Sequence, residues 1–179
     1  HSLFYRRYES SLVAGTIPTA TLPYLSLTGT SMASPVVAGT VALMLEISPT
    51  LTPNAIKAIL EYTADVRPDD DFLTQGAGLL NVRGAIRLAE RFAKPHEEGV
   101  LSFTDAIGDE AVVWSRHLIW GNYRIGGGLI TPGVNAWALG VRWGATAAPD
   151  GEGIVWGRLL DEASVPGRGP GDEAPAPWG

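Results

Sequence analysis

The chain has 179 residues, 45% of them hydrophobic; that is enough to bury a core for one domain, or for one domain plus a tail. A net charge of −6 with a pI near 5.0 excludes nucleic acid as the main partner, because that role needs a positive footprint. Cysteine is absent, which removes disulfides and thiolate metal sites without identifying a compartment. The longest apolar run, near Val36 to Leu45, is shorter than the roughly 20 residues a bilayer span needs, so no membrane partner is expected. The first residue is His1, with no initiator Met and no signal peptide, which leads to the expectation that the chain begins inside a longer protein.

Taken in chain order, SSLVAGTIPTA and LPYLSL read as short extended pieces broken by Gly15, Pro18 and Pro23. A helix is predicted from Ser31, with Pro35 in its first turn, where a missing N–H is harmless. Leu43, Met44, Leu45 and Ile47 follow, and the helix is apolar nearly all round, which predicts burial. Ala33, Ala38, Gly39 and Ala42 are small enough to let other backbone approach, and close packing is the expected reason for a mid-helix glycine. In LTPNAIKAILEY, Thr52 is the natural N-cap, Pro53 the first helical residue, and Ile56, Ile59 and Leu60 the inward stripe. Lys57 and Glu61 pair outside it at i,i+4. VRPDDDFLTQGAG reads as a loop, and Asn81 caps a third helix carrying Ile86, Leu88, Ala89 and Phe92.

Composition then changes near residue 95. All six tryptophans and most glycines lie beyond it, and KPHEEG reads as a polar breaker. EAVVWS, NAWALGVRW and GIVWG are strand-like, whereas VPGRGPGDEAPAPWG is aperiodic and predicted disordered. Trp-Gly recurs at Trp120, Trp143, Trp156 and Trp178, at intervals too uneven for a solenoid. Those indoles serve either local packing in a small β-rich appendage or recognition of a surface, carbohydrate or export factor.

Ser31 admits two readings. It caps the helix, or it is a nucleophile at a helix start, where free N–H groups and the positive end of the dipole favour an oxyanion. GTSMASPVVAG, followed by VALMLEISPTLTPNAIKAILEYTAD and GAGLLNVRGAIRLA, resembles the C-terminal part of a subtilisin-like serine protease (subtilase) catalytic domain over about Leu22 to Ala93. The resemblance implies an α/β fold, the C-terminal portion of a three-layer arrangement with a parallel sheet flanked by helices. It implies serine-type endopeptidase activity through an acyl-enzyme on polypeptide substrates. Ser31 would be the nucleophile, with its backbone N–H an oxyanion donor. Thr30 and Met32 would sit near the active site, Met32 as an oxidation liability. Val36 departs from many members, which have His there, but lies outside the catalytic set.

A serine hydroxyl needs a base and a carboxylate that orients the base. In this family the order is Asp, His, Ser, and only thirty residues precede Ser31. They hold His1 and no Asp; His96 and His117 follow in the wrong order. The catalytic Asp and His are therefore absent from this chain, which alone is expected to be inactive and to need the missing N-terminal part of its domain. No cofactor or metal is expected in it. Calcium belongs to the implied properties of the complete enzyme, but Asp69 to Asp71 read as a solvated acidic loop. GNYRIGGGL lacks a phosphate-binding frame and reads as a glycine-rich hairpin or turn.

The expected organisation is residues 1–94 as peptidase segment, 95–99 as linker, 100–160 as a Trp/Gly-rich β-prone extension, and 161–179 as a disordered tail. Secretion or a cell-surface location follows from the resemblance alone. The alternative function is non-catalytic: a pseudoprotease remnant, or a Trp-Gly binding module.

Overall fold

A computed structural model of the protein describes residues 3–22, 24–95, 101–126 and 128–158, the side chains of Phe4 and Arg158 excepted. His1, His96, most of the breaker segment and the residues after 158, with Trp178, lie outside the described residues. The chain divides into two compact units between Gly39 and Thr40.

The first unit opens with helix α1 (Leu3–Arg7) and a 3-10 turn at Glu9–Ser11. Strands β1 (Leu12–Val13) and β2 (Tyr24–Leu25) pair antiparallel, with Leu12 opposite Leu25. The extended pieces on either side of Gly15 and Pro18 thus become a short two-stranded ribbon. Helix α2 (Thr30–Ile47) begins here and continues past Gly39.

The second unit holds helices α3 (Pro53–Thr63), α4 (Phe72–Gln75) and α5 (Val82–Ala93). Their starts follow local chemistry. Thr52 Oγ1 accepts from the Ala55 N–H at 3.3 Å, Asp71 from Thr74 at 2.8 Å, and Asn81 from Gly84 at 2.9 Å. VRPDDDFLTQGAG, expected to be a loop, contains the four-residue α4, which Asp71 caps. The inward face of α3 is Ala55, Ala58, Ile59 and Tyr62, a quarter-turn away from the expected stripe, and Ile56 and Leu60 are only half-buried. Alanines form the closest face because other chain lies directly upon it.

That chain is α5 together with parts of residues 101–126 and 128–158. Strands β3 (Thr104–Ile107) and β4 (Glu110–Val113) form one antiparallel hairpin, and β5 (His117–Trp120) and β6 (Tyr123–Gly126) form a second. β7 (Leu129–Ile130) pairs with β8 (Gly157–Arg158). GNYRIG accordingly supplies the turn and second strand of the β5–β6 hairpin. NAWALGVRW, expected to be extended, instead contains a 3-10 turn at Asn135–Trp137.

One buried cluster joins Met44, Ile59, Tyr62, Leu88 and Phe92 with Trp114, Leu118, Trp120, Ile130 and Trp137. The change of composition at residue 95 is therefore not a boundary in packing. All sheets among the described residues are two-stranded and antiparallel; helices and small sheets are present, but the parallel layer implied by the resemblance is not among them.

Candidate functional site: the start of helix α2

Gly29 has φ +153°, a backbone conformation that disfavours a side chain, and its carbonyl accepts from the N–H of Met32 at 3.0 Å and of Ala33 at 3.2 Å. This turn starts α2 at Thr30, one residue before the expected position. Ser31 stands exposed in the first turn. Among the described residues, neither its hydroxyl nor its N–H has a hydrogen-bond partner. Its position combines a free hydroxyl, a free main-chain donor and the positive end of an 18-residue helix. Such a group can attack an acyl carbon once a base removes its proton, and its N–H can hold the resulting oxyanion.

Pro35 is the sixth helical residue rather than a first-turn residue. Its missing N–H is the one that would reach the Ser31 carbonyl, so the helix forfeits a hydrogen bond at the serine itself. Thr30 and Met32 flank Ser31; Met32 is 40% exposed, so its sulfur is open to oxidants.

The expectation that α2 is buried is corrected. Only Thr40 and Met44 are buried along its length, while Val36 and Leu43 are 57% and 44% exposed. A β-carbon on Gly39 would meet nothing within 4 Å, so the close approach expected there is made by no described residue. The helix also has the length and apolar composition of a membrane span, which the count of its longest apolar run missed.

Of the histidines, His117 lies in β5. Burial, then the nearby charges of Arg124 and Arg116, hold it below the ordinary imidazole value despite a hydrogen bond to the Ser115 backbone. The acids after α3 are engaged locally: Asp71 caps α4 and Asp70 lies 3.8 Å from Arg67. Among the described residues no group of three or more His, Asp or Glu side chains is placed to hold a metal ion.

The i,i+4 pairing of Glu61 with Lys57 is as expected, but the burial of Glu61 and the role of Asp105 are not announced by the sequence. Glu61, expected on the outer face, has a side chain only 13% exposed, 3.9 Å from Lys57. Its carboxylate accepts from the Ile119 N–H at 2.6 Å. Burial raises its pKa to about 6 against the lowering effects of that bond and of Lys57. Asp105 is fully buried; burial pushes its carboxyl up, but donors on Trp114, Arg87 and Asn81 outweigh this and hold it below the usual carboxylate range. Each also has a partner more than seventeen residues away, Ile119 for Glu61 and Arg87 and Asn81 for Asp105, which no local signal announces.

Residues 6–85, which include Ser31, match the model of the subtilase family. Over this stretch the chain is similar to the subtilase family. The relatives agree: an extracellular protease of Xanthomonas campestris pv. campestris is 43% identical over 81 residues, 45% of this chain and 14% of that protein. Serine protease AprX of Bacillus subtilis is 40% identical over 63 residues, 35% of this chain and 14% of that protein. Subtilisin DY of Bacillus licheniformis is 45% identical over 73 residues, 41% of this chain and 25% of that protein. The chain thus spans a quarter or less of these curated relatives. No solved structure matches it.

Proposed function

We propose that the chain is the nucleophile-bearing, C-terminal portion of a subtilisin-like serine endopeptidase. Ser31 attacks the carbonyl carbon of a peptide bond, its own N–H holds the oxyanion, and water later releases the acyl group. The observation that carries this reading is the free hydroxyl and free N–H of Ser31 at the first turn of α2, inside the stretch that matches the family. The base and its carboxylate come from an N-terminal part of the same catalytic domain, so the 179 residues alone are inactive. That part also supplies the parallel sheet of a three-layer fold and covers the exposed apolar face of α2. The name of the Xanthomonas relative supports secretion of the complete protein. Calcium, where the complete enzyme binds it, is held outside the acidic loop of residues 69–71, whose Asp71 is engaged in capping.

The test is hydrolysis of a denatured polypeptide by the complete protein and by its Ser31→Ala form. Loss of turnover by four or more orders of magnitude supports the reading, as expected for a serine nucleophile. Unchanged turnover would assign the chain the non-catalytic alternative.

A further inference from the structure

The residues after 101 make a continuous series of bonds to helices α3 and α5. The last turn of a helix leaves carbonyls without partners. In α3 these are taken by chain from more than fifty residues later: Ser115 Oγ donates to the Glu61 carbonyl at 2.6 Å, Arg116 N–H to Tyr62 at 3.0 Å, and Ser115 N–H to Ala64 at 2.8 Å. At the other end of α3, the Asn54 amide donates to the carbonyls of Ala136 and Val141 at 3.1 and 3.0 Å. In the last turn of α3, the Tyr62 hydroxyl donates to the Gly128 carbonyl at 2.7 Å.

Helix α5 is held in the same manner. Arg83 donates to the Ala106 carbonyl at 2.8 Å, and Arg87 to those of Ser102 and Thr104 at 3.2 Å and to the Asp105 carboxylate.

The tryptophans face inward. Trp114, Trp120 and Trp137 are buried, and the indole N–H groups of Trp114, Trp120, Trp137 and Trp143 go to Asp105, Ala145, Thr131 and Ile119. A recognition surface needs indole faces and N–H groups free for a ligand, and these four are committed within the molecule.

We propose that residues 101–126 and 128–158 are an intramolecular cover for α3 and α5, which completes the fold of the second unit, and that Trp114, Trp120, Trp137 and Trp143 serve this packing and not a ligand-binding surface. The partner of this segment is the helix pair that precedes it. It supplies the C-terminal caps of α3 and shields the alanine face that the helices lay open.

The test places a specific protease site in residues 96–100 of the full chain and cuts it. The two pieces are expected to elute together, and Asn54→Ala combined with Ser115→Ala to separate them. Elution of residues 101–179 apart from an otherwise unaltered cut chain would overturn the proposal. In the uncut chain, amide exchange is expected to quicken more than tenfold in both α3 and β5 when Gly144 is replaced by Leu; a gain confined to β5 would overturn it. A saturable change in tryptophan fluorescence with soluble glycans or peptidoglycan fragments would likewise contradict it.

Discussion

Gly121 and Gly144 pack backbone against backbone. A β-carbon on Gly121 would lie 2.7 Å from the Gly144 Cα, and one on Gly144 would lie 2.6 Å from the Gly121 Cα. Each glycine follows a tryptophan, and the rings of Trp120 and Trp143 stand 4.4 Å apart. The Trp120 indole donates to Ala145 and the Trp143 indole to Ile119, so each ring is fastened to the strand or turn that carries the other. Two of the Trp-Gly dipeptides are thus a single joint. At these two positions the joint needs a large planar group beside a residue without a side chain.

Gly121→Ala and Gly144→Ala are each expected to destabilise the chain by about 3 kcal/mol in urea unfolding, from the left-handed backbone and the overlap together. Gly151→Ala is the control: its φ of +88° matches that of Gly144, but its β-carbon would meet nothing within 4 Å. Its cost is expected at about 1 kcal/mol. Equal costs at all three would remove the joint from the account.

Gly84 stands where three polar groups converge. A β-carbon there would fall within 2.6 to 2.9 Å of the Asn81 amide, the Trp114 indole nitrogen and the Asp105 carboxylate. Asp105→Ala strips the acceptor from a buried amide, an indole and Arg87, and about 3 kcal/mol of stability is expected to go with it. Because its folded-state value is lowered, the carboxylate's contribution is present above the ordinary value of 3.8 and lost as pH falls through the folded value. Acid unfolding of Asp105→Ala is accordingly expected to be flatter below pH 4.

Glu61 acts in the opposite direction. Its value rises from 4.5 to about 6 on folding, so the folded state binds the proton more tightly. The stability it adds is fully present below about 4.5 and is lost as pH rises through about 6. Glu61→Gln keeps an acceptor for the Ile119 N–H without the charge. It is expected to gain up to about 2 kcal/mol over the parent at pH 8 and nothing at pH 4. His117, whose value is lowered, contributes stability present above 6.5 and lost as pH falls below it, so only the difference between parent and variant isolates Glu61. A pH-independent difference in urea midpoints would contradict the buried position of this carboxylate.

The open face of α2 gives a split prediction. Leu43→Glu is expected to change the stability of the 179-residue chain by less than about 0.5 kcal/mol, as at other exposed positions. In the complete protein, where the proposed N-terminal part covers this face, the same change is expected to abolish folding to an active form. The parent chain is also expected to remain in solution when mixed with neutral lipid vesicles; partition into them would assign the face to a bilayer.

Much of the helical part was readable because its determinants are local. Thr52, Pro53 and Asn81 mark helix starts within four residues of chain, and the Ser31 motif is contiguous. The faces of those helices were not readable in the same way. The burial of Glu61 and the quarter-turn shift of α3 depend on Ser115, Ile119 and Val141, which arrive more than fifty residues later. For α2 the error ran the other way. Its pattern predicts burial, but the described residues leave most of its length exposed. The Trp-Gly recurrence is legible in the sequence, but the joint between residues 120 and 143 is not, because reciprocal packing leaves no period.

The central claim is that Ser31 is a nucleophile activated by groups supplied from a longer chain. The most direct measurement is mass-spectrometric mapping of a fluorophosphonate adduct on the complete protein and on the 179-residue chain, at equal probe concentration. The account predicts a stoichiometric adduct on the peptide carrying Ser31 in the complete protein, its loss in Ser31→Ala, and no adduct on the shorter chain. An adduct elsewhere in the complete protein, with Ser31 unmodified, would contradict it.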